Sequence, residues 1–506
     1  MNARLQDLDD VRWHHLLAPH IAERPDAPAL ADDGGAAWDY GALDTACDAA
    51  RDLLLDHGVR PGDRVMLLAE NSATAVAFMF AASRVGATVI PVNARQTEFE
   101  VARLLAHADP AVVVATSAAS GEAAAHADRL GATPERGAYG DVHLLARPGT
   151  RPDDDPDVAV LLYTTGTTGM PKGVMLTHAN MVYAGRAARG YRGLAPGHLV
   201  YGVAPMAHVI GLASMMTATM CSGATARLEA RFSVERLYAA LKEGVTHLPA
   251  VPQMHALLMQ HVQAHGHATL DSAHLAYVSS GGAPLDPAWK RKAEAFYRLP
   301  LQNGYGMTET TAAASITANR LGDPDVSVGP PLDGVEIRID DTVPGGGDGQ
   351  GEVLIRGPNV MKGYYRNPED TAAVLSADGW LRSGDLGRID EQGRLHILGR
   401  SKELIIHGGF NVYPPEVEAA LNDHPQVIQS AVIGHVQDGD EKVLAFVQAA
   451  PDDLPDPDDL RAFVAERLTG YKRPSRIIIA TSLPAAATGK ILKHKLLDHF
   501  ADDLAR

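Results

Sequence analysis

Short apolar runs alternate with longer amphipathic stretches over most of this 506-residue chain. The runs at 64–68 (RVMLL), 87–92 (ATVIPV), 111–115 (AVVVA) and 158–162 (VAVLL) are rich in β-branched residues and too short for helices, so they are read as buried strands. Between them, 75–85 and 98–108 carry helical spacing. The rhythm returns with a helix over 234–242, a strand over 276–280 and a Gly-Gly-Ala-Pro turn at 281–284. Such alternation predicts an α/β architecture of layered sheets and helices. No short fixed repeat is visible.

From about 335 the pattern becomes strand-like: EIRI, EVLIRG and GRLHILG, each bounded by Gly, Asp or Pro. This predicts a β-rich subdomain over about 335–400. A second change falls near 400. Strands are predicted at 404–406, 430–434, 443–448 and 476–479, with helices at 415–421, 460–468 and 491–500. The division is therefore a large N-terminal α/β domain over 1–400 and a small α+β domain over 401–506. The acidic, Pro-containing stretch 451–459 reads as an exposed loop.

One apolar stretch asks the membrane question. Residues 203–221 contain no Lys, Arg, Asp or Glu, long enough to suggest a span. Pro205, His208, Gly211, Ser214, Thr217 and Thr219 interrupt it, so a buried helix with a polar mouth at 205–208 is predicted instead. No membrane span is expected.

Composition narrows the rest. A net charge of −17 argues against nucleic acid as the main partner. Two cysteines, Cys47 and Cys221, are too few for a disulfide framework or a Cys-rich metal site. The opening MNARLQDLDDVRW lacks the basic start and apolar core of a secretion signal. A cytoplasmic protein is expected, and a homodimer is compatible with everything read so far.

Chemistry concentrates at six places. YTTGTTGMPKG, at 163–173, follows a predicted strand, and its glycines, threonine hydroxyls and Lys172 make a phosphate-gripping loop. It is not a Walker loop, because Gly173 follows the lysine. NGYGMTETT at 303–311 offers a flat ring (Tyr305), a hydroxyl (Thr308) and a hard oxygen ligand for magnesium (Glu309). In WLRSGDLG, Asp385 is placed to accept from both ribose hydroxyls. Arg400 lies in GRSK, Gly408 and Gly409 make a tight turn, and TGK at 488–490 follows Pro484.

Together and in this order, these motifs resemble the signatures of the adenylate-forming superfamily: acyl- and aryl-CoA synthetases, luciferases and peptide-synthetase adenylation domains. The resemblance runs over about 10–500 and implies a two-step reaction, in which a carboxylate and ATP give an acyl-adenylate and coenzyme A then displaces AMP. It implies that Thr164, Thr165, Gly166, Thr167, Thr168, Gly169 and Lys172 hold the outer phosphates. Gly282, Ala283 and Pro284 face Tyr305 and Gly306 across the adenine. Asp385 and Arg400 hold the ribose, Thr308 and Lys490 meet the α-phosphate, and Glu309 binds Mg2+. Lys402 is the implied hinge of a mobile C-terminal domain, after whose rotation Gly408, Gly409 and Phe410 line the coenzyme A path. His208, with Ala207 and Gly211, is implied beside the acyl group.

Ala207 stands where many such relatives carry an aromatic residue. No Lys or Arg lies between 201 and 226, and no acidic residue is present there to hold a substrate amine. A monocarboxylic acid with an apolar body, fatty or aromatic, is therefore expected. The leading expectation is an AMP-forming acid–CoA ligase. The alternatives are an adenylate former that loads a carrier protein and a non-catalytic acyl-nucleotide binder, the latter opposed by intact Glu309, Asp385 and Lys490.

Overall fold

A computed structural model describes residues 11–147, 156–164, 171–282, 285–343, 346–407, 410–437, 440–485 and 491–505. Two eight-stranded sheets dominate it. In one, the strands run in the order Gly363–Tyr364, Lys172–Thr177, Val158–Thr164, Thr88–Asn93, Arg64–Ala69, Val112–Ala115, Gly140–Ala146, Thr133–Gly137. The other runs Ser315–Ile316, Leu301–Tyr305, Tyr277–Gly281, His247–Ala250, Leu199–Gly202, Thr225–Leu228, Pro28–Asp32, Ala37–Asp39.

Strand side chains alternate between faces, and both faces of each sheet are apolar. Val65 and Leu67 join Val200, Ala226 and Leu228 of the other sheet in one core with the helices Tyr40–Asp56, Ala73–Val85 and His178–Arg192. The neighbours Met66 and Leu68 point the opposite way, into a core shared with Glu98–Ala108 and Gly121–Leu130. Tyr201, Leu248 and Val278 likewise pack on Val234–Glu243, Pro252–Ala264 and Pro287–Tyr297. The result is five layers: helix, sheet, helix, sheet, helix. Ala73–Val85 fits the middle layer because its alanines leave it slim and apolar nearly all round. Ser72 caps its start, accepting from Ala75 N at 3.2 Å.

The β-rich part is a four-stranded antiparallel sheet of Glu336–Asp340, Gln350–Arg356, Leu381–Ile389 and Leu395–Arg400. Beyond it lie the hairpin Ile405–His407/Phe410–Val412 and the sheet Val427–Gln437, Asp440–Ala449, Arg476–Ala480, packed with Pro414–Asn422 and Pro457–Ala465.

Two expected helices need correction. Over 203–221 the helix starts only at Ile210, because Pro205 and the turn closed by His208 N on Pro205 O (2.9 Å) occupy the preceding residues. Its first part, Ile210–Thr217, is a π-helix, a wide winding that often accompanies function. The helix predicted over 491–500 breaks into Lys493–Lys495, Leu496–His499 and Ala501–Ala505. There Lys493 turns aside to pair with Glu403 and Glu418. Cys47 and Cys221 are buried and free, as their apolar surroundings predict.

Candidate active site

Parallel strands end together, and loops at their carboxyl ends make the usual crevice of α/β proteins. In the second sheet those ends are Gly202, Leu228, Ala250, Gly281 and Tyr305. The adjoining end of the first sheet supplies Lys172.

Val158–Thr164 and Lys172–Thr177 pair antiparallel, with Thr164 opposite Lys172. Thr165, Gly166, Thr167, Thr168 and Gly169 lie outside the described residues. Lys172 Nζ pairs with Asp370 at 2.8 Å and stands 4.9 Å from the centre of the Tyr364 ring. The Tyr364 hydroxyl donates to Glu309 Oε1 at 2.9 Å. Hydrogen bonds from Lys172 and then Asn367 hold the Asp370 carboxyl below its usual range, so it stays anionic. Tyr364 and Asp370 were not singled out from the sequence, although GYYRNPED at 363–370 crowds Gly, Tyr, Pro and charge as the other motifs do.

Beside this cluster, the Tyr305 hydroxyl donates to Asp385 Oδ2 at 2.5 Å, and Arg400 Nε lies 3.3 Å from Oδ1. Pairing of Asp385 opposite Arg400 across two strands sets that contact. Burial, and then the Asp385 charge, push the Tyr305 phenol well above its ordinary range and keep it a donor. Gly306 is demanded by packing, since a Cβ there would lie 2.2 Å from Ala312 O.

Gly281 pairs with Gly304, which brings Gly282 next to Tyr305. Gly282 has φ +82°, and a Cβ on it would sit 3.9 Å from Ile210 Cδ1. Ala283 and Pro284 lie outside the described residues. His208 is half-exposed, and its Nδ1 accepts from Ile210 N at 3.3 Å, leaving Nε2 as the ring's donor. The turn before it is pinned by buried Asn71, a residue the sequence did not flag. Asn71 donates to Gly202 O (3.0 Å) and Ala204 O (2.9 Å) and accepts from Met206 N (2.9 Å). Ala207 lines a narrow cleft between the sheets with Asn71, Arg95 and Pro205. Gly211 is packed against backbone: a Cβ would meet Pro205 O at 2.2 Å and Ala204 O at 2.3 Å.

Thr308 is buried at the start of the short turn Thr308–Thr310 that carries Glu309. Among the described residues no group of three or more His, Cys, Asp or Glu could hold a metal. A single carboxylate therefore fits a magnesium ion that takes its remaining ligands from phosphate and water, not an all-protein cage. Lys402 is exposed in the turn Ser401–Glu403. Phe410 is 56% exposed and stacks on Tyr471 at 4.6 Å. Gly408, Gly409 and Lys490 lie outside the described residues. No helix among the described residues is long and apolar enough to cross a membrane.

A family model for AMP-binding enzymes matches residues 17–365, and one for the AMP-binding enzyme C-terminal domain matches 416–490. A feruloyl-CoA synthase of an Amycolatopsis species is 35% identical over 484 residues, covering 92% of this chain and 95% of that protein. A sulfoacetate–CoA ligase of Cupriavidus necator is 32% identical over 520 residues, covering 99% and 100%. Among solved structures, ATP-bound MatB from Rhodopseudomonas palustris superposes with a TM-score of 0.83 at 30% identity, covering 97% of this chain and 100% of that one.

Proposed function

The chain belongs to the AMP-binding enzyme family and is an AMP-forming acid–CoA ligase, and from that premise we propose how its residues divide the work and which acid it takes. In the first step a carboxylate oxygen bonds to the α-phosphorus of ATP and the bond to pyrophosphate breaks. In the second, the coenzyme A sulfur bonds to the acyl carbon, the thiol proton is lost, and AMP leaves.

Residues 164–172 hold the departing pyrophosphate, with Lys172 exchanging Asp370 for phosphate oxygens. Tyr305 and Gly306 face the adenine opposite 282–284, and Asp385 with Arg400 holds the ribose. Thr308 and Lys490 meet the α-phosphate, where charge accumulates in the transition state. Magnesium supplies charge neutralisation on the phosphates when bound, and Glu309 is the carboxylate that would hold it. His208, Ala207 and Gly211 position the carboxylate. Lys402 is the hinge between 1–400 and 401–506, and Gly408, Gly409 and Phe410 line the thiol's approach after the small domain turns.

The observation that carries the reading is that Lys172–Tyr364–Glu309 and Tyr305–Asp385–Arg400, drawn from three sheets, are linked through the short segment 305–309. The acid's body runs from His208 between the π-helix Ile210–Thr217 and the strand Tyr277–Gly281. That slot is short, as worked out below, and suits an aryl acid better than a long acyl chain. A relative at 35% identity that is a feruloyl-CoA synthase supports the same choice.

Lys490→Ala tests the division of labour. Acid-dependent ATP–pyrophosphate exchange should fall by roughly two to three orders of magnitude, the loss typical of one charge-stabilising donor. Transfer from preformed acyl-adenylate to coenzyme A should be largely spared. Equal loss in both half-reactions would sink the two-position account.

A further inference from the structure

Within 211–222, Ser214 is the one residue that is not buried. It faces the second sheet across the proposed acyl slot. On the strand Tyr277–Gly281, Val278 points into the outer core, so Tyr277, Ser279 and Gly281 share the face toward the π-helix. Ser279 and Gly281 are likewise only partly covered. The slot thus has a mouth at His208, Ile210 and Gly282, and walls from Ser214 and Ser279.

Its floor is a cation. Arg192, the last residue of the helix His178–Arg192, is 8% exposed. Its guanidinium donates to Ser214 O and, at 2.5 Å, to Ser214 Oγ. It also lies 5.8 Å from the centre of the Tyr277 ring and 5.5 Å from that of Tyr191. Among the described residues no Asp or Glu pairs with it. Arg192 Nε is buried with no hydrogen-bond partner, and the buried Tyr277 hydroxyl has only Arg192 and Ser279 within reach. The adjacent His247, stacked on Tyr277 at 5.5 Å, supplies no charge, because burial lowers its pKa to about 4. A guanidinium is permanently charged, and burying one without a counter-group is costly. A cation without a carboxylate and an unpaired Nε donor therefore meet at one end of the slot, beside a phenol.

We propose that Arg192, with Tyr277 and Ser214, is the specificity-determining floor of the acyl slot and selects acids carrying an oxygen acceptor at the end remote from the reacting carboxylate. This rests on the acid–CoA ligase reading and deepens it. The window without Lys or Arg that favoured an apolar acid ran from 201 to 226, and the fold brings Arg192 in from outside it. The slot's length sets the spacing. Four residues of helix separate Ile210, at the mouth, from Ser214, about 6 Å at the usual rise. Four residues of strand separate Gly281 from Tyr277, about 13 Å. A para-oxygenated arylpropenoate and a medium-chain dicarboxylate share that chemistry and fit that range. The test separates them.

Acid-dependent pyrophosphate exchange is measured for four acids: 4-hydroxycinnamate, cinnamate, suberate and octanoate. In the wild type, an oxygenated acid should exceed its apolar counterpart by roughly 10,000-fold in kcat/KM, the discrimination expected of a site built to pair a substrate oxygen. Preference within the cinnamate pair identifies a phenolic acceptor, and preference within the octanoate pair a second carboxylate. Arg192→Met should erase the preference while cinnamate or octanoate is still activated. Tyr277→Phe, which leaves the cation in place, should reduce the preference only in part and guards against misfolding of the Arg192 variant. Equal rates for oxygenated and apolar acids in the wild type, or a preference surviving in Arg192→Met, would overturn the proposal. Failure of every acid to support exchange would instead count against the ligase reading itself.

Discussion

Tyr364→Phe isolates one hydrogen bond at the centre of the site. The substitution removes only the hydroxyl that donates to Glu309 Oε1 at 2.9 Å. Ring packing and the 4.9 Å contact with Lys172 both survive. A hydrogen bond to a charged group contributes about 1.5–3 kcal/mol. Glu309 is half-buried, so water can partly replace the lost donor and the lower end applies. With ~1.4 kcal/mol per factor of ten, the role proposed for Glu309 in holding magnesium predicts binding about tenfold weaker. The assay is acid-dependent pyrophosphate exchange at fixed ATP across a magnesium series, with a melting curve alongside. The magnesium requirement should rise about tenfold while the melting temperature stays near the wild-type value. An unchanged requirement at unchanged stability would refute the positioning role. A loss independent of magnesium with a lowered melting temperature would assign Tyr364 to packing alone.

Gly211→Ala would place a methyl 2.2 Å from Pro205 O, so the π-helix and the His208 turn must separate by about 1 Å, a displacement that costs around 100-fold in rate; wild-type kcat/KM in that variant would show that the turn need not be rigid. A pH effect is expected where the two domains touch. The Asp286 pKa is pushed up to about 6, first by burial and then by the charge of the Asp423 carboxylate and a hydrogen bond with it. Because the folded value lies above that of an unfolded carboxylate, this contact is most favourable at low pH and weakens as pH rises through 6. Asp423→Asn should therefore flatten the dependence of melting temperature on pH between about 4 and 6, and an identical profile would remove the pair from the account.

Much of the fold was legible because strand-length β-branched runs admit few other readings. The strand at 64–69 and its neighbours lie where their apolar pattern placed them. Residues 203–221 were harder: apolar content announced burial, but the segment before Ile210 is held by Asn71, 131 residues before Gly202, whose carbonyl it binds. The site divides similarly. Glu309, Asp385 and Lys172 announced themselves through glycine-rich surroundings. Tyr364 and Asp370 act only through partners distant in sequence. Arg192 was invisible for a different reason, since a cation at a helix end is ordinarily a solvated one and only the tertiary fold buries it.

The central claim, that this chain joins a carboxylate to AMP before passing the acyl group to coenzyme A, is tested most directly by isotope transfer. An acid labelled with oxygen-18 in both carboxylate oxygens is incubated with the protein, ATP, magnesium and coenzyme A, and the nucleotide product is weighed by mass spectrometry. The account predicts AMP bearing one labelled oxygen, formed together with the acyl thioester. Unlabelled AMP, or ADP with inorganic phosphate, would contradict it.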